Sequence, residues 1–183
     1  NPNMYGYYSS LKENVDPASE YYVKTGPWYA NSKNTIVIRY ADVLLMRAEA
    51  LIETGDYQDA LPLINQIRNR AKVSTSLIGF ASSYVNIQPY EDGVNCTWTQ
   101  DYARKALRWE RRLEFAMEGS RFFDLVRWGV AAETINDYFQ REKIVRTYIK
   151  DDTHFTAGKD EYFPIPQPQI NFSGGLYKEN PGY

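Results

Sequence analysis

One cysteine and one histidine stand in the 183 residues, and each closes off a branch of chemistry. Cys96 alone forms no internal disulfide and no thiolate cage for zinc, so redox compartment is left undecided by it. His154 alone supports neither a histidine metal site nor a Ser/His/Asp arrangement. Glycine-rich phosphate loops of the usual spacings are missing. An excess of positive charge is missing as well: Lys and Arg number 21 against 23 Asp and Glu, for a net charge of -2. That balance excludes the basic footprint of a nucleic-acid binder, and no Lys/Arg block suggests an anionic membrane surface. No apolar run reaches the roughly 18 residues of a membrane span. Paired acids at Asp151/Asp152 and Asp160/Glu161 lack EF-hand spacing and read as solvated charge, so no metal or cofactor is expected.

What remains is a chain that is 43% hydrophobic and 24% charged, the balance of one ordinary domain, residues 1–183, that buries its own core. It begins at Asn1, without Met, on the loop-like "NPNMYGYYSS", and is therefore expected to be a piece of a longer protein.

The fold class expected is mostly α. Residues 1–33 carry Gly, Pro, Asn and Ser among many aromatics and read as irregular chain with a short strand. From Ile36, the residues Tyr40, Val43, Leu44, Arg47, Ala48, Leu51 and Ile52 recur at the spacing of one helical face. "TGDY" stops that helix at Gly55 and opens a second, Tyr57 to about Ala71, in which Pro62 lies early enough to be tolerated. Residues 36–71 thus form a hairpin of the tetratricopeptide type, on Ala48, Gly55, Tyr57, Ala60 and Leu61. About three such repeats are needed for an independent solenoid, so this hairpin must pack on other helices. Val73 to about Thr99 reads as a long loop. Helices follow over about Asp101–Glu118 with Thr99 as cap, Ser120–Trp128 and Ala131–Arg141. Alternating Pro164, Pro166 and Pro168 predict an extended tail, ordered and packed through Phe163, Ile165, Leu176 and Tyr177.

"ERRLEFAMEGSRFFDLVRWG", Glu110 to Gly129, crowds both signs of charge between aromatics. Glu114 and Glu118 could be read as an acid/base pair of the glycosidase kind. Neighbouring guanidinium groups hold carboxylates ionised, which suits scaffold and is wrong for a general acid. The expectation is an ion network of Arg111, Arg112, Glu118, Arg121, Asp124 and Arg127 under Trp109 and Trp128, and no enzyme.

Three segments, in order, resemble one family, the SusD/RagB-like outer-membrane nutrient-binding lipoproteins. They are "IRYADVLLMRAEALIETGDYQDALPLINQIRNRA", "ALRWERRLEFAMEGSRFFDLVRWG" and "YFPIPQPQINFSGGLYKENPGY". The sequence departs from the family's pattern at Glu179, where Gln is frequent, and at Ser120, where His is. The resemblance implies the carboxyl-terminal portion of a much longer, mostly helical surface protein with an amino-terminal lipid anchor. Such proteins capture glycans, sometimes peptides, without catalysis, and sit as a lid over a TonB-dependent transporter barrel. A binding module of this kind uses loop aromatics as platforms for sugar rings, and the candidates are Trp28, Tyr29, Tyr22, Trp98 and Tyr90. Tyr5, Tyr8, Tyr21 and Tyr84 lie near them in sequence, with Asn86, Asn95 and Asp92 as hydroxyl partners. The alternative is a tetratricopeptide-type scaffold that binds protein or peptide, which would carry its exposed aromatics on the concave hairpin face alone.

Overall fold

A computed structural model describes residues 12, 14–25, 28–77 and 86–183, with backbone alone for 25, 28–31 and 75–77. Among the described residues the chain is mostly helical, with six helices and one two-stranded sheet. It divides into two compact units, Leu11–Gly119 and Ser120–Tyr183. The sheet belongs to the first: β1 (Tyr22–Thr25) and β2 (Trp28–Asn31) pair antiparallel, Tyr22 opposite Asn31 and Thr25 opposite Trp28.

α1 (Tyr40–Thr54) starts four residues later than its periodicity suggests. The run Thr35-Ile36-Val37-Ile38 is β-branched throughout, which costs side-chain freedom in a helix, and Arg39 is extended at φ -110° and ψ 154°. Its other end follows expectation. Gly55 takes the left-handed conformation at φ 101° and its N–H reaches Ile52 O at 3.3 Å. The same carbonyl accepts Gln100 Nε2 at 2.6 Å, so the end of α1 is tied to the start of α3.

α2 (Tyr57–Leu77) runs unbroken past Pro62 and continues six residues beyond the expected Ala71. Within that extension the Ser74 hydroxyl donates to Arg70 O, 2.8 Å away. α3 (Gln100–Glu114) is capped as expected by Thr99, whose side chain accepts from Tyr102 N at 3.2 Å. It ends at Glu114, short of Glu118, and Met117 (φ 67°) and Gly119 (φ 84°) turn the chain away.

These three helices enclose one core. Leu44, Leu45, Ala48 and Ile52 of α1 meet Ala60, Ile64 and Ile67 of α2 and Ala103, Ala106 and Leu107 of α3, with Trp98 and Phe115 closing the ends. Ala48 and Ala60 are fully buried, and their lack of bulk lets α1 and α2 approach closely, which is the tetratricopeptide-like seam.

The second unit contains α4 (Arg121–Arg127), α5 (Ala131–Glu142) and α6 (Gln167–Phe172). Its small core is Leu125, Ala131 and Phe155, flanked by Phe122, Val126 and Ile135. Two expectations for the tail are corrected here. The prolines do not exclude a helix, because Pro168 falls in the first turn of α6, where no N–H is required. The tail's apolar side chains are packed only in part: Phe163 is 89% exposed, Leu176 85% and Tyr177 57%, while Ile165 is half-buried. Polar bonds hold the tail to itself instead. Glu179 Oε1 accepts from Ile165 N at 2.7 Å and Asn180 N at 2.8 Å, and Asn180 Nδ2 donates to Phe163 O at 2.6 Å. A single acceptor oxygen does the work of Glu179, and the amide of Gln would supply the same oxygen.

Candidate functional site

The stretch after residue 85 is a built loop. Asn65 on α2 grips it twice, donating Nδ2 to Tyr90 O at 2.9 Å and accepting Tyr90 N at 2.7 Å. Within it, Asp92 Oδ1 accepts Trp98 N at 2.8 Å, while Asn95 accepts from Glu91 N and donates to Pro89 O. Asp92 and Asn95, expected as hydroxyl partners for a sugar, are therefore committed to loop closure.

Trp98 is 2% exposed and forms a three-ring cluster with Tyr90 and Tyr102, centroids 5.7–5.9 Å apart. Its indole N–H donates to Tyr57 O at 2.9 Å. Tyr90 is half-buried, with the Arg68 guanidinium 4.4 Å from its ring centroid, and burial pushes its hydroxyl up in pKa. Trp98 offers no open face for stacking on a sugar, whereas the half-buried Tyr90 ring is flanked by the Arg68 guanidinium, Trp98 and Tyr102. Tyr22, in β1, is half-buried, and Tyr21 beside it is 51% exposed. The side chains of Trp28 and Tyr29, with Tyr5, Tyr8 and Tyr84, lie outside the described residues; the backbone of Trp28 and Tyr29 forms β2. Asn86 is exposed.

The carboxylates of α3 and the turn after it face arginines from distant sequence. Glu110, 5% exposed, pairs with Arg68 of α2. Glu114 sits between Arg39 at 2.6 Å and Arg70 at 2.5 Å. Glu118 sits between Arg39 at 2.8 Å and Lys12 at 2.5 Å. Arg111, 5% exposed, pairs with Asp42 of α1 at 2.8 Å.

Of the expected network, Arg111, Glu118, Asp124 and Arg127 carry ion pairs, Arg111 and Glu118 with partners from outside the Glu110–Gly129 block. Arg112 lies over the half-exposed Trp109 ring at 5.0 Å. In the second unit, buried Asp124 pairs with Arg127 at 2.9 Å, and Arg121 and Arg127 lie 5.8 and 4.9 Å from the Trp128 ring centroid. Glu110 and Arg68, a deeply placed pair, carried no sequence signal beyond their charge, because their meeting depends on the packing of α2 on α3.

Burial pushes the Glu110 carboxyl up against the pull of Arg68, whereas for Glu118 burial is outweighed by Arg39 and Lys12 and the carboxyl is held low. The two signs predict opposite pH behaviour. A raised folded pKa gives stability present below the unfolded value, about 4.3, and lost as pH rises through the folded pKa; a lowered one gives stability present above that value and lost as pH falls. Urea melts should show the penalty of Glu118→Gln growing, and that of Glu110→Gln shrinking, between about pH 4 and pH 7. Parallel trends would contradict the assignment.

Beside Arg39 the first unit opens a cavity of about 390 Å³ lined by Lys12, Lys33, Thr35, Ile36, Arg39, Met117 and Glu118. Lys33 and Thr35 are exposed, and Lys33 Nζ donates to Lys12 O at 2.6 Å. Ile36 and Met117, 56% and 72% exposed, give it apolar walls. Sequence reasoning missed this site, since Lys12, Lys33 and Met117 carry no motif.

A helical hairpin with a small-residue seam, followed by an arginine-clamped helix and a polar-bonded proline tail, defines a helical protein of tetratricopeptide-like build. The whole chain, residues 1–183, matches the SusD family, and the chain belongs to it. It is 30% identical to SusD-like protein P2 of Formosa agariphila over 182 residues, 96% of this chain and 32% of that protein. It is 33% identical to SusD-like protein P38 of the same organism over 137 residues, 72% of this chain and 25% of that one. The chain therefore spans a third or less of the length of these relatives. Among solved structures, a SusD superfamily protein from Bacteroides vulgatus matches 80% of this chain and 27% of its own, with a TM-score of 0.57 at 33% identity. A SusD homolog from Bacteroides thetaiotaomicron matches 80% and 26%, with a TM-score of 0.58 at 30% identity. Among the described residues no helix is long and apolar enough to cross a membrane.

Proposed function

We propose that this chain is the carboxyl-terminal portion of a non-catalytic cell-surface protein that captures oligo- or polysaccharide and delivers it to a TonB-dependent, SusC-like transporter of the outer membrane. Membership of the SusD family across residues 1–183 carries the reading. The clamped carboxylates support it, because Glu118 sits between Arg39 and Lys12, is held low and is a poor proton donor. Attachment to the membrane is by an amino-terminal lipid anchor outside this chain, and the transporter barrel is its protein partner.

With Trp98 committed to packing, Trp28, Tyr29 and Tyr22 of the β1–β2 hairpin and the half-buried Tyr90 remain the candidates for stacking on a sugar. A ring face attracts the weakly positive C–H face of a pyranose, at about 0.5–1.5 kcal/mol per stack by analogy with aromatic pairs. Calorimetric titration of an oligosaccharide panel into this chain and its Trp28→Ala variant tests the assignment. Weakened binding with unchanged melting is expected. Equal binding by both proteins would move recognition away from the hairpin, and no binding to any glycan would remove the capture reading for this part of the protein.

A further inference from the structure

A second cavity, of about 320 Å³, opens in the first unit between the start of α1 and the later turns of α2. Tyr40, Ala41 and Leu44 line it from α1 and Gln66, Ile67 and Arg70 from α2, with Arg39 at the α1 end. Its volume lies at the small end of the roughly 300–1,000 Å³ of ligand pockets. Ala41, Leu44 and Ile67 are only 8%, 7% and 3% exposed, so the floor is aliphatic and belongs to the core. Tyr40 adds an aromatic ring that is 69% exposed.

The polar groups of this lining keep bonding capacity. Gln66 is exposed, and neither its side-chain amide nor the Tyr40 hydroxyl has a hydrogen-bond partner among the described residues. Arg70 spends Nη2 on Glu114 Oε2 at 2.5 Å, and with 53% of its side chain exposed its other guanidinium N–H groups stay open. Gln66 and Arg70 stand four residues apart on α2, so the amide and the guanidinium are neighbours on one helix face. Arg39 is bonded to Glu114 and Glu118, and Arg70 to Glu114, so each cation of the lining has a carboxylate. What the cavity offers a guest is directional hydrogen bonding rather than charge.

We propose that this cavity is a second sugar subsite, on α1 and α2 rather than on the β1–β2 hairpin, and that it takes one neutral pyranose ring. The C–H face of the ring lies on Tyr40 and the aliphatic floor, while its edge hydroxyls pair with the Gln66 amide and the open N–H groups of Arg70. An apolar side chain of a peptide would fill the floor and leave the amide and guanidinium desolvated without partners, which is costly. A sugar satisfies both parts of the lining at once. The inference rests on the glycan-capture reading and adds a site and a substrate class to it.

The test titrates neutral oligosaccharides of glucose, mannose and xylose, and an end-blocked leucine-rich peptide, into this chain and its Tyr40→Ala, Tyr40→Phe and Gln66→Ala variants. Tyr40 and Gln66 are exposed, so melting should be unchanged, and Gln66→Ala reads the site without removing a ring. At least one oligosaccharide is expected to bind, weakened about twofold to twelvefold by Tyr40→Ala and by Gln66→Ala. Tyr40→Phe keeps the platform and should bind more tightly than Tyr40→Ala. Raised salt should leave the affinity of a neutral sugar as it was. Sugar binding indifferent to both alanine variants would overturn the subsite and leave capture elsewhere on the chain standing. Peptide binding that Tyr40→Ala removes, with no sugar competing for it, would overturn the sugar assignment in favour of a peptide groove. No binding of any sugar would overturn the subsite and the capture reading together.

Discussion

Trp98→Ala is expected to destabilise the Leu11–Gly119 unit by about 3–5 kcal/mol, the usual range for a large aromatic removed from a packed interior. Trp98 is 2% exposed and touches Tyr90 and Tyr102 at ring spacings of 5.7 and 5.9 Å, so alanine would leave a cavity that three helices cannot close without losing their own contacts. The indole also donates to Tyr57 O at 2.9 Å. Trp98→Phe keeps most of the ring and loses that donor, and should cost nearer 1 kcal/mol. Chemical denaturation of the three proteins separates cavity from hydrogen bond. A Trp98→Ala protein that melts like wild type but no longer binds sugar would return the residue to the recognition surface.

That result bears on how much of the molecule is readable from its sequence. Helical periodicity depends on neighbours three and four residues away, and it located α1, α2 and α3 together with the cap at Gly55 and the cap at Thr99. An aromatic in a loop carries no such period. Trp98 and Tyr90 look like loop platforms until Asn65, on a helix 25 residues from Tyr90, pulls the loop onto the core. Ion pairs behave in the same way. The block from Glu110 to Gly129 was legible as a place of alternating charge, but its partners Arg39, Asp42, Arg68 and Arg70 are chosen by how the helices pack. The tail was legible only in part, for a different reason: apolar composition predicts burial only where a surface exists to bury against, and Phe163, Leu176 and Tyr177 are exposed in this chain while Ile165 is half-buried.

Arg39→Ala should produce a loss of about 3 kcal/mol, toward the low end for breaking a buried pair, because the Arg39 side chain keeps 20% of its exposure. Arg39 stands just before α1 and makes four hydrogen bonds to the end of α3 and the turn after it. Nη1 donates to Glu114 Oε1 at 2.6 Å, Nε to Glu118 Oε2 at 2.9 Å, and Nη2 to Glu118 Oε1 at 2.8 Å and Glu114 O at 3.0 Å, while the guanidinium lies 4.9 Å from the Phe115 ring centroid. Its removal deprives two carboxylates of a shared partner, one of them only 8% exposed. The midpoint of thermal unfolding should fall by roughly 6–12 °C for a chain of this size. Arg39→Lys should recover only part of the loss, since an ammonium cannot present the planar fork that spans both acids. Arg70→Ala removes a partner that is 53% exposed and should cost less than about 1 kcal/mol. The pH dependence follows from Glu118, whose carboxyl is held low: Arg39 stabilises its charged form, so the gap between wild type and Arg39→Ala should narrow as pH falls through the folded pKa of Glu118. If Arg39→Ala and Arg70→Ala melt alike at neutral pH, the clamp between α1 and α3 is not what holds this unit together, and its stability rests on the apolar seam of Ala48 and Ala60 alone.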